Sequence, residues 1–412
     1  MKFRFINFLF AVLLLAACSQ QEKGQTLTIS NPLGEPVSEL TYELSSSDVM
    51  QSIASMQTTG FHILDGETEI PFQIIVKDNA PAALLIQSDF AAGEEKKLTL
   101  VAGKGTDFPQ KTQAEISVKE GGEWVWVTKN NGNEQYEYQG GTWKNVTSVW
   151  MDEKHTDHSF DIRYEGPGWE SDKIGYRFYF DWRNAVDIFG KKVDTLVLQG
   201  VGLDGFDSYH EMCDWGTDVL KVGNALGIGS IAHWADSAAN RVAKTDSVYT
   251  EVTYSGLLES KLTTKYYGWE YAGGKTDLVS ELSIRAGSYL TKGHLKTSSP
   301  MDNLATGIVK LPNTSVLNSD SEGDWAYLAT FGVQTLHNDH MGMAIFYKKS
   351  DLLEVTEDKY SHVVVLKPTN NELTYFYGAA WEQDASKMDS IEKFETFLKK
   401  QLALLDAGLI NE

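Results

Sequence analysis

The nine residues IGYRFYFDW, Ile174–Trp182, change character at almost every step. Period two places Ile174, Tyr176, Phe178, Phe180 and Trp182 on one face of an extended segment, and Arg177, Tyr179, Asp181 and Arg183 on the other. The spacing predicts a strand with its aromatic face on a core and its charged face on a shared space. The same pattern recurs along the chain. LTISN, SELTYEL, FQIIVKD, AALLIQS, KKLTLVA, EWVWVTK, DTLVLQG, SVYTEVTYSG, KLTTKYYGWEY, LVSELSIRA, WAYLATFGV, MGMAIFYK and HVVVLKP are alternating or β-branched runs bounded by Gly, Pro, Asn or Asp. So many strands exceed one immunoglobulin-sized sandwich and predict an all-β chain built on a large antiparallel β-sandwich.

Helix is expected mainly at the tail, Ser386–Leu405, where Ile391, Phe394, Phe397, Leu398 and Leu402 recur at helical spacing. A shorter helix could start within CDWGTDVLKVG. The stretch GTDFPQKT (residues 105–112) is the best break, dividing an N-terminal β region, 26–108, from a main domain, 109–412.

The first residues carry a different message. A basic start, an apolar run from Phe8 to Ala17 and the ending LAAC match a bacterial lipoprotein signal, residues 1–17. Cys18 is the expected lipidation site, followed by a polar tether to residue 25, so the chain is expected in the cell envelope, anchored by lipid. Lipidation of Cys18 leaves Cys213 alone, which excludes a disulfide framework. A net charge of −21 argues against a nucleic-acid partner, and any anionic ligand needs a local cationic cluster.

Three clusters could carry chemistry. Arg177 and Arg183 could grip a carboxylate in the two-pronged way that guanidinium geometry favours, unless they only pair with Asp residues on a solvated face. The preceding YEGPGWESD supplies Tyr164, Glu165, Trp169, Glu170 and Asp172 on a Gly-Pro turn. Tyr209, His210, Asp214, Trp215 and Asp218 form the second cluster, in which His210 could act as an acid–base group. TLHNDHMGM holds His337 and His340, and KHTDHSF holds His155 and His158. No third and fourth ligand follow from spacing, so no metal or other cofactor is assigned, a divalent metal being the alternative.

YEGPGWESDKIGYRFYFDWRNAVDIFGK, YHEMCDWGTDVLKVGNALGIGS and YSHVVVLKP with TYFYGAAWEQD resemble the exported bacterial family catalogued as domain of unknown function 4861. The resemblance implies a supersandwich-like fold, association with polysaccharide-degrading enzymes, and a link to an oligosaccharide dehydratase acting on uronic acids in ulvan breakdown. It brings no catalytic set with it.

Elimination across C4–C5 of a uronic acid needs a neutralised carboxylate, a base for the C5 proton and an acid for the C4 oxygen. The expected catalytic residues are His210 as base, Tyr164 as acid, His158, and the carboxylate-binding Arg177 and Arg183. Trp169, Glu170, Tyr179, Tyr209, Trp215 and His337 are expected to bind the sugar. The leaving group would be water or another sugar, and the partner an acidic oligosaccharide. The competing readings are a non-catalytic oligosaccharide-binding lipoprotein and a glycoside hydrolase using Glu165 and Glu170.

Overall fold

The structure, a computed structural model, describes residues 25–411 apart from 57–59, 206–207 and 320. Cys18 and the leader lie outside the described residues. The chain is all-β with a C-terminal helix. Residues 25–102 supply a four-stranded and a three-stranded sheet. Leu27, Ile29, Ile63, Leu84, Ile86, Leu98 and Leu100 close their shared core. A helix, Ser47–Met56, buries Ile53 against them, an element that the sequence reading did not anticipate.

The remaining strands build one nine-stranded antiparallel sheet that faces a six-stranded and a five-stranded sheet. The core between these layers takes Trp169, Tyr176 and Ile188 from the six-stranded sheet, Leu282, Ile345 and Tyr377 from the nine-stranded one, and Val364 from the five-stranded one. The tail helix, Ile391–Asp406, starts at Ser390, whose hydroxyl accepts the Lys393 N–H at 3.4 Å. Phe394, Leu398 and Leu402 pack on Phe331, Phe346 and Phe376 of the outer sheet face. Gly342 makes room there, since a Cβ at that position would run into the Phe394 ring. Leu404 and Leu409 enter the N-terminal core, so the tail ties the two β regions together.

Three local expectations fail. The strand expected over Ile174–Trp182 ends at Phe178, and Trp182 is 48% exposed under Arg241 instead of core-facing. DTLVLQG forms irregular chain and a single 3₁₀ turn, Leu198–Gly200. CDWGTDVLKVG holds a short strand, Gly216–Asp218, where a helix start was considered.

Candidate active site

Four strands of the six-stranded sheet, Gly168–Ser171, Gly175–Phe178, Val186–Lys191 and Gly216–Asp218, are buried on both faces. Antiparallel pairing sets Arg177 opposite Asp187, and Phe189 opposite Asp218. Arg177, Asp187 and Asp218 therefore project from the sheet face away from the main core. Arg177 Nη2 lies 2.8 Å from Asp187 and 2.7 Å from Asp218. Its Nη1 donates to the Tyr164 carbonyl at 2.9 Å and the Tyr209 hydroxyl at 3.2 Å. The Tyr179 hydroxyl donates to Asp187 at 2.6 Å. All of these side chains are buried. Charges at such depth are tolerated only when paired and hydrogen-bonded, as here. Burial, then the nearby Asp187, pushes the Asp218 carboxyl well above the usual carboxylate range.

The roof over this face is the turn Gly166-Pro167-Gly168 with the chain before it. A Cβ on Gly166 would collide with the Phe178 carbonyl, which is why the turn can sit on the strand. His158, Phe160, Tyr164 and Glu165 adopt left-handed backbone, with φ of 58°, 60°, 38° and 66°. Such conformations cost on the order of 1–3 kcal/mol each and persist only where neighbours hold them. The His158 N–H donates to Glu165 Oε1 at 2.9 Å, and the Phe180 N–H to the Glu165 carbonyl at 2.9 Å.

Held this way, Glu165 stands between two guanidiniums, 3.0 Å from Arg183 and 3.6 Å from Arg177. Arg183 also reaches Asp157 at 2.8 Å and Asp181 at 2.5 Å, and covers the Tyr179 ring at 3.8 Å. His158 Nδ1 lies 2.6 Å from Asp157, with its side chain 38% exposed. The hydrogen bond to Asp157 raises the imidazole pKa against the opposing effect of burial. Asp157, which burial would raise, is brought down to about 2 by His158 and Arg183. The His158 contribution to stability is thus fully present below its ordinary 6.5 and lost as pH rises through the higher folded value. The Asp157 contribution is present above 3.8 and lost as pH falls toward about 2. An NMR titration of His158 is expected to give a midpoint above 6.5 that falls back in Asp157→Asn, whereas a parent midpoint at or below 6.5 would contradict the pair.

At the far edge of the network the 3₁₀ turn Ser208–His210 presents His210, 29% exposed, with Nε2 3.4 Å from the buried Asp218. A proton on that nitrogen leaves the lone pair on Nδ1. The ring lies against Tyr209, with centroids 4.5 Å apart. The Thr217 hydroxyl donates to the Tyr209 carbonyl at 3.1 Å and lies 3.1 Å from His337 Nε2. His337 arrives from the nine-stranded sheet, on a hairpin fixed by the Leu336 N–H to the Val219 carbonyl at 2.9 Å. Half-buried Trp215 meets Phe189 edge-on at 6.1 Å. Two imidazoles with solvent access and a backing carboxylate are the equipment for moving protons.

A family model described as domain of unknown function (DUF4861) matches residues 29–408. The chain belongs to this family. No curated protein matches it. Among solved structures it is similar to an alpha-mannosidase from Enterococcus faecalis V583, at 10% identity and a TM-score of 0.44 over 94% of this chain. It is also similar to a glycosyl hydrolase family 38 protein from Enterococcus faecalis, at 9% identity and a TM-score of 0.42 over 94% of this chain. It spans 45% and 47% of those two chains, less than half of either.

The site of this family member gathers His158, Arg183, Arg177, Tyr179, Tyr209, His210, Trp215 and His337 into one region, but not all as substrate contacts. Arg177 is committed to buried carboxylates, so it braces the site and does not grip a ligand. Tyr164 is buried with its phenol on Glu115, beside Arg163, and burial raises its pKa well above the ordinary value. That removes it as the acid. Trp169 is fully buried against Tyr176, its indole N–H on Thr291 at 2.9 Å, so it is not a sugar platform. Glu170 is fully buried with Lys191 at 2.7 Å and takes the Val197 and Leu198 N–H groups. It neither binds sugar nor pairs with Glu165 as a glycosidase dyad.

His340 turns to Glu382 and His155 to Asp161, so the four histidines do not converge. Among the described residues, Asp157, His158 and Glu165 alone bring metal-ligand atoms within 4.8 Å. Arg183 already sits on two of the three, which makes the trio an ion-pair cluster. The sequence reading passed over Asp187, a lone acid in the apolar run AVDIF, and an aromatic ladder. Trp124, Trp126 and Tyr136 stack, with Tyr138 edge-on to Trp124, on one face of a hairpin whose Gln135 donates to the carbonyls of Asp157 and His158 at 2.9 and 2.8 Å.

Proposed function

We propose that this protein is a carbohydrate-active enzyme that eliminates water, or a sugar leaving group, across C4–C5 of a uronic acid at the non-reducing end of acidic oligosaccharides. The single observation behind this reading is the solvent-reachable His210 backed by the buried, arginine-braced Asp218. His210 takes the C5 proton on the ring nitrogen other than the one beside Asp218, while Asp218, held by Arg177, fixes the ring. The electron pair of that C–H bond becomes the C4–C5 double bond, and the C4 oxygen leaves with a proton from His337, which replaces Tyr164 as the acid. The two imidazoles then exchange protons with solvent. His158, 38% exposed and raised in pKa by its hydrogen bond to Asp157, forms the rim that meets the sugar carboxylate, with Arg183 behind it.

Trp215 offers a partly exposed ring for stacking, and the aromatic ladder beside His158, with Trp126 68% exposed, suits further sugars of a longer chain. Among the described residues no helix is long and apolar enough to cross a membrane. Lipidation of Cys18 is the proposed tether to the cell envelope. The test of the activity is incubation with uronate-terminated oligosaccharides. A rising ultraviolet absorbance from the conjugated double bond is expected, with mass spectrometry separating loss of water from chain cleavage. Binding without any absorbance change on every uronate tried would favour a carrier instead.

A further inference from the structure

The nine-stranded sheet carries a second polar concentration on its outer face, beside the tail helix. Strand Leu290–Thr297 turns Thr291, Leu295 and Thr297 inward and leaves Lys292 and His294 facing out, with Gly293 between them. A cavity of about 630 Å³ opens there, walled by Lys261, Glu281, Lys292, His294, Lys348 and Thr374. It adjoins a smaller one of about 210 Å³ that shares Ser283 and Lys292 and adds Arg285, Tyr289 and Phe397. The outer cavity is thus charged and the inner one aromatic, with Tyr289 and Phe397 edge-on at 5.7 Å.

The carboxylates around Lys292 are engaged elsewhere. Glu281 pairs with Lys261 at 3.2 Å, and Glu372 with Lys296 at 2.7 Å. Asp351 takes the Ser350 hydroxyl at 3.2 Å. Glu43 and Glu259 both hold Arg285, whose remaining Nη1 has no hydrogen-bond partner among the described residues. The Lys292 ammonium makes no hydrogen bond or ion pair among the described residues. Burial, followed by the Arg285 charge, brings its pKa down to about 8. His294 Nδ1 lies 3.0 Å from the Thr374 hydroxyl on the same face. A half-buried ammonium without a counter-ion is unfavourable, and an incoming anion relieves it.

We propose that this double cavity binds the anionic group of a sugar, a carboxylate or a sulfate ester, with Lys292 as counter-ion and the sugar ring on the Tyr289–Phe397 side. This site lies on the opposite side of the nine-stranded sheet from the sheet that carries Arg177, and it does not depend on the elimination reading.

The test is calorimetry on the full chain with glucuronate, glucose 6-sulfate and glucose as probes. Binding of an anionic probe but not of glucose is expected. Glucuronate alone would identify the group as a carboxylate, glucose 6-sulfate alone as a sulfate. Lys292→Met is expected to weaken that binding by about tenfold or more, the effect of losing one charge-assisted hydrogen bond. Lys292→Arg is expected to keep most of it. Because Lys292→Met removes an unpaired charge without removing bulk, its melting temperature is expected to be no lower than the parent's. Parent-like affinity in Lys292→Met, or no binding of either anion, would overturn the proposal.

Discussion

In His210→Gln, turnover on a uronate oligosaccharide is expected to fall by about 10²–10⁴-fold, the usual contribution of a general acid–base group, with affinity little changed. The imidazole is the group with a carboxylate behind it and solvent in front of it. Asp218 Oδ2 stands 3.4 Å from Nε2, and the carboxylate cannot swing away because Arg177 holds it at 2.7 Å. Glutamine keeps the size and a polar end but cannot accept and return a proton near neutral pH. The measurement is kcat and affinity for parent and variant on the same substrate. Near-parent kcat would remove His210 as the base.

Arg177→Ala is expected to act through the fold. Its side chain is 1% exposed, and both Asp187 and Asp218 are equally buried around it. Removing one partner of a buried ion pair leaves uncompensated charge and typically costs about 3–5 kcal/mol. Denaturant unfolding is therefore expected to show a much lower midpoint for Arg177→Ala than for the parent. A carboxylate-gripping arginine would behave in the opposite way, keeping stability and losing only ligand affinity. An unchanged midpoint with weakened binding would restore that grip and contradict the buried network.

This contrast marks where the sequence was readable. Period-two alternation found most of the strands because the physics of a pleated sheet is local. The helical spacing of Phe394, Leu398 and Leu402 found the tail helix for the same reason, within a few residues of its start. Alternation placed the charged strand face on a shared space, with a solvated face as the alternative, and did not anticipate that this face is closed off. The Arg177 face is roofed by the Gly166 turn and by the chain that carries Tyr209. The matching charges, Asp187 and Asp218, come from strands 10 and 41 residues further on. No local pattern reports such a pairing. Trp169 and Glu170 were misread through the same assumption, as both were placed on an open loop but belong to a short strand, Gly168–Ser171, buried on both faces. Lys292 and His294 escaped notice in the other direction. TKGHLK reads as an ordinary solvated face, and only the packing of the tail helix and N-terminal sheets beside it makes a cavity.

The region around His158, His210 and His337 was more legible, because histidines flanked by acids and aromatic rings in turns are uncommon as core filling. What the sequence could not supply was the order of contact: which groups brace and which face solvent. The central claim is that elimination takes place at the His210 end of the six-stranded sheet. It is tested most directly by a crystal structure of His210→Gln with a uronate oligosaccharide bound. The account predicts the terminal sugar with C5 facing residue 210, its carboxylate toward His158 and Arg183, and its ring against Trp215. A terminal sugar seated only in the Lys292 cavity, with the His210 region free of ligand, would contradict it.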